Sequence, residues 1–148
     1  MRSLRLEIFS SEWTPVVKFP GRYDSLVKIS ALVRQAVQEF GLDAIESYGV
    51  EIAVDEACSN IIEHAYGGED KGEIEFDYKI EENTLIFTIC DTGKGFNPNS
   101  IKIPRLDVPL KYRQKHGLGL IFMHQGMDEI RFDVVDHVNV LTMIKRKG

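Results

Sequence analysis

A chain of 148 residues with a net charge of −5, 43% hydrophobic and 28% charged residues has the length and composition of one globular domain with a proper core. The acidic balance argues against general binding to nucleic acid. No apolar run approaches the about 20 residues that a helix needs to span a bilayer, and the start, MRSLRLEIFSSEW, has no signal-peptide core, so a membrane partner is not expected.

Leu4, Leu6 and Ile8 alternate with Arg5 and Glu7, a short strand signal, and Val16 to Phe19 reads as a second strand closed by Pro20-Gly21. Asp24 or Ser25 can cap a helix whose stripe is Leu26, Ile29, Leu32, Val33, Ala36, Val37 and Phe40, with Gly41 as its C-terminal stop. Asp43 can cap a second helix, carried to about Tyr66 and ended by Gly67-Gly68. Its segment Glu51 to Tyr66, EIAVDEACSNIIEHAY, separates into two faces. Val54, Cys58, Ile61 and Ala65 form the stripe turned to a core; Glu56, Asn60, Glu63 and His64 fall roughly opposite. Glu56 and Asn60, four apart, are neighbours on one surface. An acid and an amide held there suit a water, a hydroxyl or a hydrated cation, although any surface helix carries a solvated polar face.

From Gly72 the period becomes two. Ile74, Phe76, Tyr78 and Ile80 alternate with Glu73, Glu75, Asp77 and Lys79, a strand with one wet face. After a turn at Glu81 to Asn83, Thr84 to Cys90 is apolar nearly throughout and reads as a central strand ending at Asp91. Residues Thr92 to His116 read as a long, mostly irregular loop, of a length that is often functional. Gly117 to Met127 looks like a short helix, and Asp128 to Val135 and Val138 to Lys145 like two strands joined at Asp136-His137. Hairpin-connected strands with few helices predict an α+β two-layer sandwich: a mostly antiparallel sheet with helices on one face. The two cysteines, Cys58 and Cys90, lie in apolar contexts and suggest buried thiols in a reduced, cytoplasmic protein, neither a disulfide framework nor a metal site.

Two glycine stretches could carry chemistry. Asp91-Thr-Gly-Lys-Gly95 follows a strand: Asp91 can accept a hydrogen bond from an exocyclic amine such as that of adenine, and Gly93 and Gly95 allow close backbone approach to a ligand. In isolation Asp-x-Gly is also a common turn. Gly117-Leu118-Gly119-Leu120 precedes a helix, whose N-terminal N–H groups favour an anion such as phosphate. Between them Lys102, Arg105, Lys111, Arg113 and Lys115 face one acid, Asp107, which suits a polyanion better than a neutral ligand. A GxxxxGK[ST] loop is absent, which excludes a Walker-type ATPase, and no histidine has zinc-like spacing to a cysteine.

An acid-and-asparagine helix, then DxGxG after a strand, then GLGL before a short helix: in this order the motifs resemble the GHKL superfamily of ATP-binding domains. Within it, EIAVDEACSNIIEHAYGG, DTGKGF, GLGLIFMHQGMDEI and the ending NVLTMIK look like the bacterial anti-sigma-factor serine kinases of the RsbW and SpoIIAB type, from roughly Asp24 to Lys147. The resemblance implies a single histidine-kinase-like ATPase domain over residues 1–148 with a lid at about 96–116. By resemblance Asn60 coordinates the Mg²⁺ on the ATP phosphates, and Glu56 is the general base on the attacking serine hydroxyl. Asp91 would bind the adenine amine, with Gly93 and Gly95 beside it, and Gly117, Leu118 and Gly119 would meet the phosphates at the lid hinge. It further implies a homodimer that binds a sigma factor and phosphorylates a serine on a small anti-anti-sigma protein of the STAS type. A non-catalytic, ATP-gated binding module on the same fold is the alternative, disfavoured by the presence of Glu56. A histidine-kinase fragment is disfavoured because the 50 residues before the motif helix contain no histidine.

Overall fold

Residues 16–95 and 115–147 are described in the computed structural model, residues 115–120 by their backbone alone. Ile29, Val33, Ala36, Val37 and Phe40 recur at helical spacing and are all buried along α1, Ser25–Phe40. Gly41 closes that helix in the left-handed conformation, φ 83°, and its N–H donates to the Val37 carbonyl, the C-terminal stop expected of glycine. The N-terminal cap differs from expectation. Asp24 occupies the cap position without a side-chain bond to the helix; its carboxylate accepts from Arg22 Nε instead. Ser25 is the first helical residue, and its hydroxyl donates backward to the Pro20 carbonyl at 2.8 Å.

Asp43 does cap the next helix, α2 (Ala44–Asn60), accepting from the Glu46 N–H at 2.7 Å. The expected single helix to Tyr66 is interrupted immediately after Asn60. Ile61–Ala65 is a π-helical turn closed by a Tyr66 N–H to Ile61 carbonyl bond. Periodicity does not register such a turn, because one extra residue per turn leaves local composition unchanged.

The sheet has the order β1-β2-β3-β5-β4, with every neighbouring pair antiparallel. Its strands are β1 (Val17–Pro20), β2 (Glu73–Glu81), β3 (Thr84–Asp91), β4 (Glu129–Val135) and β5 (Val138–Arg146). Pro20 ends β1, an edge strand among the described residues, where a missing N–H is tolerated. The β4–β5 turn has Asp136 at φ 50° and His137 at φ 67°, the left-handed pair that a two-residue hairpin requires. Helix α3, Lys115–Gly126, joins the long connection to β4 and begins two residues before the expected Gly117. Phe76, Tyr78, Phe87, Ile89, Leu141 and Met143 line up across β2, β3 and β5 and are buried with the α1 and α2 stripes in one core. This is the expected α+β arrangement. The predicted Leu4–Ile8 strand and most of the lid, 96–114, lie outside the described residues.

The wet face expected for β2 is a correction. Asp77 and Lys79 are 1% and 4% exposed, while Glu73 and Glu81 at the strand ends are exposed. Alternation identifies which side chains share a face; whether that face is wet depends on what packs over it, which the period of a single strand does not register. Cys58 and Cys90 are buried, as expected, and burial pushes the Cys58 thiol up.

Candidate functional site

The polar residues of α2 are less wet than their composition suggests. Glu56, Glu63 and His64 are half-buried, and Asn60 is 5% exposed. Asn60 is not on a solvated face opposite the core: it shares a pocket wall with Ala57 and Ile61 of its own helix segment and Ala65 of the π turn. Met123 of α3, Phe132 of β4 and Leu141 of β5 line the rest, with Asp91 at the end of β3. The asparagine and the aspartate that are 31 positions apart in sequence thus line one pocket, otherwise walled by apolar side chains. The Asn60 amide nitrogen faces Met123 Sδ at 3.5 Å, a weak contact that orients the amide. Glu56 lies one helical turn before Asn60 on α2.

Asp91 is held by its surroundings on one oxygen. Its Oδ1 accepts from the Gly93 N–H at 2.9 Å and from Asn139 Nδ2 at 2.8 Å; Oδ2 receives neither donor. Burial raises the Asp91 carboxyl above the usual carboxylate range, and the Asn139 and Gly93 donors pull it partly back. A buried carboxylate with one oxygen bonded by the protein presents the other to a donor from outside.

The turn after Asp91 is stitched to the π-helical segment. Lys94 N–H donates to the Ala65 carbonyl at 2.7 Å. The Tyr66 hydroxyl accepts from the Thr92 N–H at 3.0 Å and donates to the Glu73 carbonyl at 2.6 Å. Gly93 is packed so tightly here that a Cβ would lie 2.4 Å from the Ala65 carbonyl oxygen. Its close approach is therefore to the protein's own backbone. Gly95 is roomier, with a Cβ 3.5 Å from Asn139 Oδ1. Gly93→Ala must displace backbone and should cost about 1–3 kcal/mol of stability, the usual range for overpacking. Chemical denaturation checks this, and Gly95→Ala, measured beside it, should cost distinctly less.

Gly117, Leu118 and Gly119 are the third to fifth residues of α3, inside the helix and not ahead of it, so Gly117 alone of the three falls among the first N–H groups that lack an intrahelical partner. Five residues around the site were not read from the sequence as part of it: Asn139, Tyr66, Met123, Phe132 and Leu141. Asn139 carried the clearest signal, a strand-disfavoured amide in the otherwise apolar alternation VNVLTMI. Among the described residues, no three or more His, Cys, Asp or Glu groups cluster as a metal site, and no helix is long and apolar enough to cross a membrane.

A family model described as the histidine kinase-like ATPase domain matches residues 19–145. The chain belongs to the histidine kinase-like ATPase family. Membership implies ATP as the ligand of the domain. The chain is similar to the serine-protein kinase RsbW of Bacillus thuringiensis (strain Al Hakam) and that of Bacillus cereus (strain AH820), each 31% identical over 137 residues, covering 88% of this chain and 82% of the relative. These relatives make it a homologue of the RsbW serine-protein kinases. Among solved structures it resembles the RsbU and RsbW domains of a Mycobacterium tuberculosis protein, with a TM-score of 0.60, 18% identity, and coverage of 90% of this chain and 32% of that one. At that identity the likeness speaks for the fold, and it agrees with the helix-and-sheet arrangement described above.

Proposed function

We propose that this chain is an ATP-dependent serine protein kinase and anti-sigma factor, which binds a sigma factor and phosphorylates a serine of a small STAS-type anti-anti-sigma protein. The observation that carries the reading is the convergence of Asn60 and Asp91 on one pocket, with Glu56 one turn from Asn60, in a homologue of the RsbW serine-protein kinases. In this reading the chain acts in the cytoplasm as a single-domain homodimer.

The residues suit the chemistry. Asp91 Oδ2 accepts from the adenine amine, and the apolar side chains of Ile61, Met123, Phe132 and Leu141 flank a flat base. The first turn of α3, which reaches Gly117, offers backbone N–H groups to the phosphates, with Leu118 and Gly119 directly behind it. Asn60 fits a Mg²⁺ ligand because an amide oxygen is a hard donor and the ion keeps most of its ligands from water and phosphate. When bound, that ion would neutralise charge on the phosphate oxygens. Glu56 removes the proton from the serine hydroxyl as the serine oxygen bonds to the γ-phosphorus and the bond to the ADP oxygen breaks.

The test is capture from the source organism's lysate in Mg-ATP on the immobilised chain, with intact-mass analysis of what is retained. Recovery of a sigma factor, and of a small partner that gains 80 Da (about one phosphate) on a serine, is the expected result. A retained partner that never gains phosphate would replace the kinase reading with an ATP-gated binding module.

A further inference from the structure

Asn139, the second residue of β5, lies directly opposite Asp91 in the β3–β5 ladder. It is 4% exposed, and its amide makes two bonds at once. Nδ2 donates to Asp91 Oδ1 at 2.8 Å and to the Gly93 carbonyl at 2.9 Å. Both partners are acceptors, which decides the orientation of the amide, since only its NH₂ end can satisfy them. Gly93 in turn returns its N–H to the same Asp91 oxygen at 2.9 Å. Strand end, turn and neighbouring strand are thereby closed into one ring of hydrogen bonds around Asp91 Oδ1.

We propose that Asn139 is a positioning residue for purine recognition: by holding Oδ1 and the turn carbonyl together, it fixes the Asp91 carboxylate so that Oδ2 is the oxygen offered to an exocyclic amine. The inference rests on the reading of this pocket as an adenine site and adds the residue that sets its selectivity for a 6-amino purine. Two features favour this over a role in folding alone. A buried amide in the middle of an apolar alternation is costly unless its bonds are made, and here both are made to the recognition turn. The Asn139 carbonyl oxygen, meanwhile, is directed toward Gly95, 3.5 Å from where that residue's Cβ would stand, so the second glycine of the motif packs against the same side chain. Without the amide, the carboxylate loses one of its two fixed donors and can rotate, and either oxygen or neither meets the base.

A role through Asp91 predicts a change in discrimination, which a purely structural role would not produce. The experiment titrates Mg-ATP and Mg-purine riboside triphosphate, the analogue lacking the 6-amine, into the full chain and into Asn139→Leu and Asn139→Ala, with thermal unfolding of each. The wild type should prefer ATP over the analogue. Both variants should bind ATP about ten- to a hundredfold more weakly, the loss expected for one hydrogen bond to a charged group, while binding the analogue within about twofold of wild type, so that the preference collapses. Two variants of different volume separate the lost bond from a packing defect, which would weaken both ligands together. ATP affinity and preference unchanged in a folded variant overturn the proposal, as does an equal loss for both ligands. Failure of the wild type to bind Mg-ATP, or to prefer it over the analogue, instead overturns the adenine-site reading and takes the role of Asn139 with it.

Discussion

Asp91→Asn should abolish ATP binding, with affinity reduced by at least about a hundredfold, while leaving the protein folded and no less stable at neutral pH. The asymmetry follows from how Asp91 is held. Its Oδ1 accepts from Gly93 and Asn139. In the variant the amide carbonyl takes over those two bonds, which leaves an NH₂ group where Oδ2 stood. A donor then faces the donor of the adenine amine, and the bond becomes a clash. For stability the sign is opposite. Burial is the largest influence on Asp91 and raises its carboxyl above the usual range, so ionisation costs more in the folded chain than in the unfolded one. The contribution of this group to stability is therefore greatest below the unfolded carboxylate value of about 3.9 and is lost as pH rises through the raised folded value. Neutral asparagine escapes that loss. Thermal unfolding should show the variant at or above wild type at pH 7, with the difference narrowing as pH falls toward about 4. Calorimetric titration with Mg-ATP reads the other half. Tight ATP binding by Asp91→Asn would remove Asp91 from the base site.

How much of this was open to reading from sequence depends on whether the feature is local. The stripe of α1 and its Gly41 stop, the Asp43 cap, and the Asp136-His137 hairpin are set by neighbours within one or two turns, and they stand where expected. The motif residues Asn60 and Asp91 were also legible, as types at a spacing, and the fold brings them to one pocket. The features that were missed depend on contacts across the chain. Tyr66 reads from sequence only as the end of the second helix, yet its hydroxyl ties Thr92 to Glu73. Gly72 beside it leaves the room that the Tyr66 ring occupies, since a Cβ there would come within 2.3 Å of the ring. Asn139 gains its meaning only from the ladder register that sets it opposite Asp91. Period-two alternation placed Asp77 and Lys79 correctly on one face of β2 but said nothing about whether that face is wet.

The π turn shows how a local irregularity serves the site. An uninterrupted α-helix after Asn60 would advance each following residue by the usual 100°; the wider turn delays that advance and leaves the Ala65 carbonyl at its end to accept the Lys94 N–H. The recognition turn is thus anchored to the same helix that carries Glu56 and Asn60. The turn after Asp91 and the acid–amide pair are coupled through backbone, with Gly93 as the point of closest approach. In the proposed reaction, a ligand gripped at Asp91 would be registered against Asn60 and Glu56, and in-line phosphoryl transfer depends on such registration more than on covalent help from the protein.

Glu56→Gln separates that registration from the chemistry. The amide keeps the shape and most of the hydrogen-bonding capacity of the side chain but cannot take a proton from a serine hydroxyl. If Glu56 is the general base of the proposed reaction, phosphotransfer to the captured partner should fall by about 10²- to 10⁴-fold, the range for loss of a positioned base, with Mg-ATP affinity within about threefold of wild type (less than 0.7 kcal/mol by the usual conversion). The split matters more than either number. Loss of rate with retained binding assigns Glu56 to the transition state, because a group that served ground-state binding would move both. Single-turnover transfer, followed by intact mass at saturating Mg-ATP, measures the step without product release. Transfer by Glu56→Gln at the wild-type rate would remove the base from the mechanism and leave Glu56, half-buried one turn from Asn60, with a structural part in orienting α2 against its neighbours.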